Sequence, residues 1–254
     1  MRRTAIAIVV VLGFSFGGGA QSADINAFIS TAVKAATDQI LAPFERANGH
    51  TIFARYAPSG ALVPRFLRGD PVDLFVTDAP ALDELIKQGK IAGGRVDLVR
   101  TGIGIAVKKG APKPDVSTPE ALKRALLAAK SVGHASPAGG SITGGHIMRM
   151  FEKLGIADQI TPKTKLSMGG PNSRVSVLVS SGQAEIGLQQ ASELYDNPEV
   201  EVVGMLPASL QQTTQYSAAV TANAKEPEAA KAMIQALTTP AAKAIYKAKG
   251  LEPN

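Results

Sequence analysis

The chain has 254 residues, with 27 Lys and Arg against 21 Asp and Glu, three His, no Cys and no Trp. Without cysteine it can form no disulfide, thiolate metal site, Cys nucleophile or cysteine-linked lipid anchor. The formal charge of +6, with no basic cluster interleaved with aromatics, suits a small anionic ligand and not nucleic acid.

Read from its start, the chain opens as a secretory signal over residues 1–22. Arg2 and Arg3 form a basic head, residues 5–16 an apolar stretch broken by Gly13 and Ser15, and small residues follow to Ala23. The mature chain is expected to begin near Gln21 or Ala23. The apolar stretch is shorter than the ~20 residues that a membrane span requires. An exported, soluble, periplasmic protein is expected, and loss of Arg2 and Arg3 leaves a smaller basic excess.

Beyond the signal, strand-like and helix-like runs alternate, the signature of an α/β sheet with crossover helices. Residues 25–29 read as a strand, and Ser30-Thr31 is a polar turn before the helical stripe Val33, Ala36, Ile40, Leu41, Phe44. Residues 51–57 repeat the arrangement, with Pro58-Ser59-Gly60 as the turn. Two such junctions in succession place small hydroxyls and free N–H groups at helix starts, where an anion is favoured, and parallel strands open their C-terminal ends on one crevice.

Residues 73–77 read as a buried strand, and Leu82, Leu85 and Ile86 mark a helix closed by Gly89. The extended run DLVRTGIGIAV holds Gly102 and Gly104, and residues 100–102 read as a hinge between two units. A helix begins near Ser117-Thr118-Pro119-Glu120, through either a Ser117/Glu120 capping box or a Thr118 cap with Pro119 in the first turn. Ile147, Met150, Phe151 and Leu154 form a further helical stripe, and Val175, Leu178 and Val179 another, ended by Gly182. Strands are read at 185–190 and 201–204, a returning segment at 215–221, and helices starting at Glu226-Pro227 and Thr239-Pro240.

The segment PAGGSITGGH, from Pro137 to His146, has no Gly-Lys-Ser/Thr closure and is not a nucleotide P-loop. Its glycines are expected to bring backbone donors close to a ligand. His146 could shuttle a proton near neutral pH, and Arg174 could clamp a carboxylate. The three His have no close-spaced partner, so no metal is expected, and no strained G-x-S-x-G elbow points to a serine hydrolase. No cofactor is expected.

The stretches STAVKAATDQILAPFERANG, YAPSGALVPRFLRGDPVDLFVT, the DLV…GIGIAVKKGAPKP crossing, RVSVLVSSGQAEIG and TTPAAKAIYKAKGL resemble, in content and order, the periplasmic solute-binding proteins of the molybdate-binding type. The resemblance implies an α/β, two-lobed type II fold with hinge strands and a ligand cleft between the lobes. Lobe I would take residues 23–100 and 218–254, and lobe II residues 101–217. Ligand groups would fall on Ser30 or Thr31, on Ser59 with Gly60, on Ser136, Gly139, Gly140, Ser141 and Thr143, and on Asn172, Ser173 and Arg174.

Two departures stand out. Where the family has a Tyr after a late strand, this chain reads Leu188-Gln189-Gln190-Ala191-Ser192, which makes Gln189 a ligand candidate. The Gly-rich segment is also longer and carries His146. The expectation is a monomeric receptor that captures a molybdate-like oxyanion or small carboxylate for an inner-membrane ABC permease. The alternative is a periplasmic isomerase similar to aconitate isomerase, in which His146 would move a proton between allylic positions of a tricarboxylic acid.

Overall fold

The computed structural model describes residues 22–168 and 174–254. The expected signal segment, apart from Ser22, lies outside the described residues, as do Asn172 and Ser173.

The first half of the described chain runs β1 (Asp24–Ser30), α1 (Lys34–Asn48), β2 (Thr51–Ala57), α2 (Ser59–Leu67), β3 (Leu74–Asp78), α3 (Ala79–Lys87) and β4 (Val96–Thr101). It then enters β5 (Ile103–Lys108), α4 (Pro119–Ala128), β6 (Val132–Ala135), α5 (Ile142–Lys153), α6 (Ala157–Ile160), β7 (Thr164–Ser167), α7 (Val175–Ser180), β8 (Ile186–Gln190), α8 (Ala191–Tyr195) and β9 (Val200–Met205). The last elements are β10 (Thr214–Val220), α9 (Pro227–Thr238), α10 (Pro240–Ala248) and β11 (Glu252–Pro253).

These strands form two sheets, one ordered β11-β4-β10-β3-β1-β2 and the other β7-β6-β8-β5-β9. In the first, β1 pairs in parallel with β2 and β3, and β10 is antiparallel to β3 and β4. Such strands are covered by helices on both faces, which is why β3 is buried at every position. Side chains alternate across the sheet. Ala27 and Ile29 pack with Phe44, Met233 and Tyr246, while Phe28 packs with Leu62, Phe75 and Leu82 on the other side. Around the second sheet Ile105, Leu122, Ile147, Phe151 and Leu188 make a separate core.

Thr118 is the cap of α4: its Oγ1 accepts the Ala121 N–H at 3.1 Å, while Ser117 bonds Asp115 instead. Pro119 then occupies the first helical position, where no N–H is needed. The sheets exchange the chain at Gly102, between β4 and β5, and take it back over residues 206–213. Residues 101 and 214–217, read above with the second unit, hydrogen-bond within the six-stranded sheet and belong with it.

Gly144 shows why part of the Gly-rich segment is glycine. A Cβ there would lie 2.0 Å from the Ala135 carbonyl oxygen, so α5 can begin against the end of β6 only without a side chain. Gly144→Ala must push α5 off β6 and should cost about 1–3 kcal/mol, the usual range for overpacking. Urea melts of the two proteins would check this, and equal midpoints would refute it.

Candidate functional site

The strand ends build the site. Ser30 ends β1 and faces Ala57, the last residue of β2, in register, so both chains turn into helices on the same side of the sheet. From the other sheet, the ends of β6 and β8 deliver Ser136 and Gln190 to the same place. Together they border a cavity of about 730 Å³ between the sheets. That size lies within the ~300–1,000 Å³ of small-molecule sites.

Ser30, Thr31, Ser59, Ser136, Gly139, Ser141, Thr143, Arg174 and Gln189 all line this cavity. Gly60 and Gly140 instead touch one another, the Gly60 N–H donating to the Gly140 carbonyl at 3.1 Å. A Cβ on Gly60 would lie 2.8 Å from that oxygen, and one on Gly140, at φ +83°, would lie 2.7 Å from the Ala61 nitrogen. Glycine here serves the approach of one sheet's loop to the other's.

His146 is not among the lining residues. Its Nε2 lies 2.7 Å from the Leu210 carbonyl, and because a carbonyl only accepts, Nε2 carries the hydrogen and donates. The ring is engaged by the returning segment, so this structure gives it no proton-shuttling position in the cavity.

Polar groups of both sheets form a chain through the Tyr216 hydroxyl. The Ser59 hydroxyl donates to Ser30 Oγ at 3.1 Å, and Ser30 Oγ also accepts the Ala32 N–H at 3.4 Å. Gln190 Nε2 donates to Thr214 Oγ1 at 3.1 Å and to the Tyr216 hydroxyl at 3.3 Å. Burial raises the pKa of the Tyr216 hydroxyl, which stays protonated. Among the described residues, three buried polar atoms that belong to lining residues have no partner: Arg174 Nε and the side-chain oxygens of Gln189 and Gln190.

Charged groups line the same cavity. Arg174 Nη1 is 3.2 Å from Asp196, which Lys249 approaches from the other sheet's side at 3.8 Å. Asp38 accepts the Tyr56 hydroxyl at 2.6 Å and pairs with Lys34, whose ammonium sits 4.4 Å from the Tyr56 ring centre.

Glu193, in the first turn of α8, was missed by the sequence reading, which stopped one residue short at Ser192. The strand-to-helix junction that singled out Ser30 and Ser59 exists here too. Its side chain is half-buried and lines the cavity, as Thr31 does. Burial pushes this carboxyl up to about 7; Thr31 and Arg174 oppose the shift and Asp196 adds to it.

Comparison with known proteins places these observations. The family described as bacterial extracellular solute-binding protein matches residues 25–252. The chain is 33% identical over 222 residues to a protein named aconitate isomerase from Pseudomonas sp, covering 85% of this chain and 82% of that one. It is 25% identical over 248 residues to the molybdate-binding protein ModA of Azotobacter vinelandii, covering 96% of each. A solved periplasmic molybdate-binding protein from Azotobacter vinelandii shares the fold with a TM-score of 0.69 at 18% identity, over 89% of this chain and 98% of that one.

The shifted carboxyl has a consequence for stability. Between about 4.5 and about 7 the folded chain holds a proton on Glu193 that the unfolded chain has released. Stability from this site is therefore lost as pH rises through that window. Glu193→Gln removes the ionisation and should gain on the parent as pH rises, by on the order of 2 kcal/mol, a figure discounted for partial exposure. Calorimetric melts at pH 5 and pH 8 would check it; the same difference at both would refute it.

Proposed function

Because the chain belongs to the bacterial extracellular solute-binding proteins, we propose that it captures a small organic anion with two or more carboxylates and hands it to an inner-membrane ABC permease. The proposed setting is the periplasm, the unit a monomer, and the site the cleft between the sheets.

Arg174 carries this reading. Its guanidinium lines the cavity with Nε unpartnered, and a planar fork of donors matches a carboxylate in two bonds. From the six-stranded side Ser30, Thr31 and Ser59 line the same cavity, and by turning their hydroxyls from present partners to a second carboxylate they would let one ligand bond both sheets and hold the cleft shut. A tetrahedral oxyanion bound by neutral donors needs neither the cation nor so large a space.

A panel of citrate, isocitrate, both aconitates, molybdate, tungstate and sulfate, read by thermal shift and calorimetry, tests it. A carboxylate at a hundred times its Kd should stabilise the fold by about 2.7 kcal/mol. Stabilisation by molybdate and by no carboxylate would overturn the reading. Arg174→Gln should weaken carboxylate binding by about 1.5–3 kcal/mol, the range for a hydrogen bond to a charged group, and unchanged affinity would remove Arg174 from the site.

One observation favours a second reading on the same cleft. A carboxyl, Glu193, lines the cavity beside Arg174, and the relative at 33% identity is named an isomerase. The chain would then shift a proton between allylic positions of a bound tricarboxylic acid. NMR of each aconitate incubated with the purified chain would show interconversion, and a spectrum that never changes would exclude it.

A further inference from the structure

We infer that Glu193 is the catalytic base of this cleft, taking a proton from one allylic carbon of an alkene polycarboxylate and returning it to the other. The inference rests on the isomerase reading, and it names the group that would do the chemistry.

Three carboxyl side chains line the cavity: Asp38, Glu193 and Asp196. Asp38 is held by Tyr56 and Lys34, and Asp196 lies between Arg174 and Lys249. A carboxylate neutralised by cations and hydrogen bonds is a poor base. Glu193 lines the cavity and enters no ion pair among the described residues, which leaves its carboxylate oxygens for a substrate C–H.

Imidazoles do not compete with it. His50 Nδ1 accepts the Ala23 N–H at 3.2 Å, and His134 is buried with Nδ1 against the Ala135 carbonyl at 3.0 Å. His146 is turned to Leu210. A carboxyl whose burial brings it to about 7 is more basic than an exposed one and still substantially ionised near neutrality.

The step balances without a co-reactant. The carboxylate of Glu193 takes a proton from the allylic carbon, and the C–H bonding pair joins the neighbouring double bond as a delocalised allylic anion conjugated with a substrate carboxylate. Glu193 then gives the proton to the far end of the allylic system, where a new C–H bond forms. The double bond has moved by one carbon and Glu193 has its starting charge. Arg174 supplies a cation, with an unused Nε–H, for the charge that develops.

The groups facing Glu193 are Thr31 before α1, Arg174 ahead of α7, Asp196 after its own helix, and Tyr216 of β10, with Asp78 at the end of β3 acting on Tyr216. Of these, Arg174 favours the ionised form and Asp196 disfavours it.

The test places the full exported chain with cis- or trans-aconitate in deuterated water and follows deuterium uptake by NMR, with binding measured by calorimetry. The wild type should exchange. Glu193→Gln should bind the acid with affinity within about tenfold yet exchange about 10²–10⁴-fold more slowly, the usual contribution of a general base. Glu193→Asp should fall between the two, and wild-type exchange should rise with pH as the carboxyl ionises.

Exchange at the wild-type rate in Glu193→Gln would overturn the assignment while leaving the isomerase reading intact. A wild type that binds the acid but neither exchanges nor interconverts it would overturn the isomerase reading, and the assignment with it. Loss of binding in both variants would also overturn the assignment, since holding the ligand would then suffice. If Glu193→Gln does not fold, Glu193→Asp decides: exchange slowed at least tenfold with binding retained supports the base, and unchanged exchange overturns it.

Discussion

The cleft depends on how the chain is held where it passes between the sheets. At that point the amide of Gln211 bonds both polar groups of one residue: the Ile103 N–H donates to Oε1 at 2.8 Å, and Nε2 donates to the Ile103 carbonyl at 3.1 Å. The Leu206 N–H donates to the same carbonyl at 3.0 Å. One side chain of the returning segment thus fastens the outgoing strand, and the space for that amide exists because residue 102 has no Cβ. Such an atom would meet Gln211 Cδ and Met205 Cε at 3.0 Å. The Ala191 N–H donates to the Gly102 carbonyl at 3.0 Å, so α8 begins on this crossing. Glu193 is therefore carried to the cavity between the sheets, which Thr31 and Tyr216 line from the six-stranded side.

The contacts between the two sides of the cleft are of a different kind. Ser192 Oγ donates to the Ala32 carbonyl at 2.6 Å, the Gly60 N–H to Gly140, Gln190 Nε2 to Thr214 and Tyr216, and Lys249 approaches Asp196. Each is a single hydrogen bond or a partly exposed ion pair, contributing about 1 kcal/mol or less. The two cores, by contrast, are separate and apolar, and each holds its own sheet. The energy that resists parting the walls is small beside the energy that holds either wall together. A ligand that bonds both walls competes with contacts it can match in strength.

What could be read from the sequence follows this division. Strands, helices, the crossing near Gly102 and the hydroxyls at Ser30, Thr31 and Ser59 rest on periodicity and on the chemistry of helix starts, both local. The cap of α4 was narrowed to two residues, and Thr118 takes it because Ser117 is bonded to Asp115. The Gly-rich segment was read for a ligand, yet Gly144 and Gly140 yield room to Ala135 and to the loop at Gly60. No local pattern reports which distant backbone will arrive there. The placing of His146 was illegible for the same reason, since its partner, Leu210, lies far along the chain. Glu193 was hidden because an acid in a first helical turn is ordinary, and its character comes from burial by neighbours remote in sequence.

On the proposed readings, capture of an anion and transfer of a proton would place opposed demands on this one carboxyl. An ionised Glu193 repels the carboxylates of an arriving ligand, so binding favours the protonated form, which can donate a hydrogen bond instead. Abstraction requires the ionised form, and the nearby anionic ligand makes that form scarcer but more basic. Arg174 lies between these demands: its charge offsets the ligand's, and its bond to Asp196 fixes the guanidinium before any ligand arrives. A receptor without chemistry would gain from replacing Glu193 by a neutral donor, as Gln189 and Gln190 already are beside it. An acid without an ion pair among the described residues, lining a cleft proposed to take an anion, would be a cost to capture, and proton transfer is the function that would offset it.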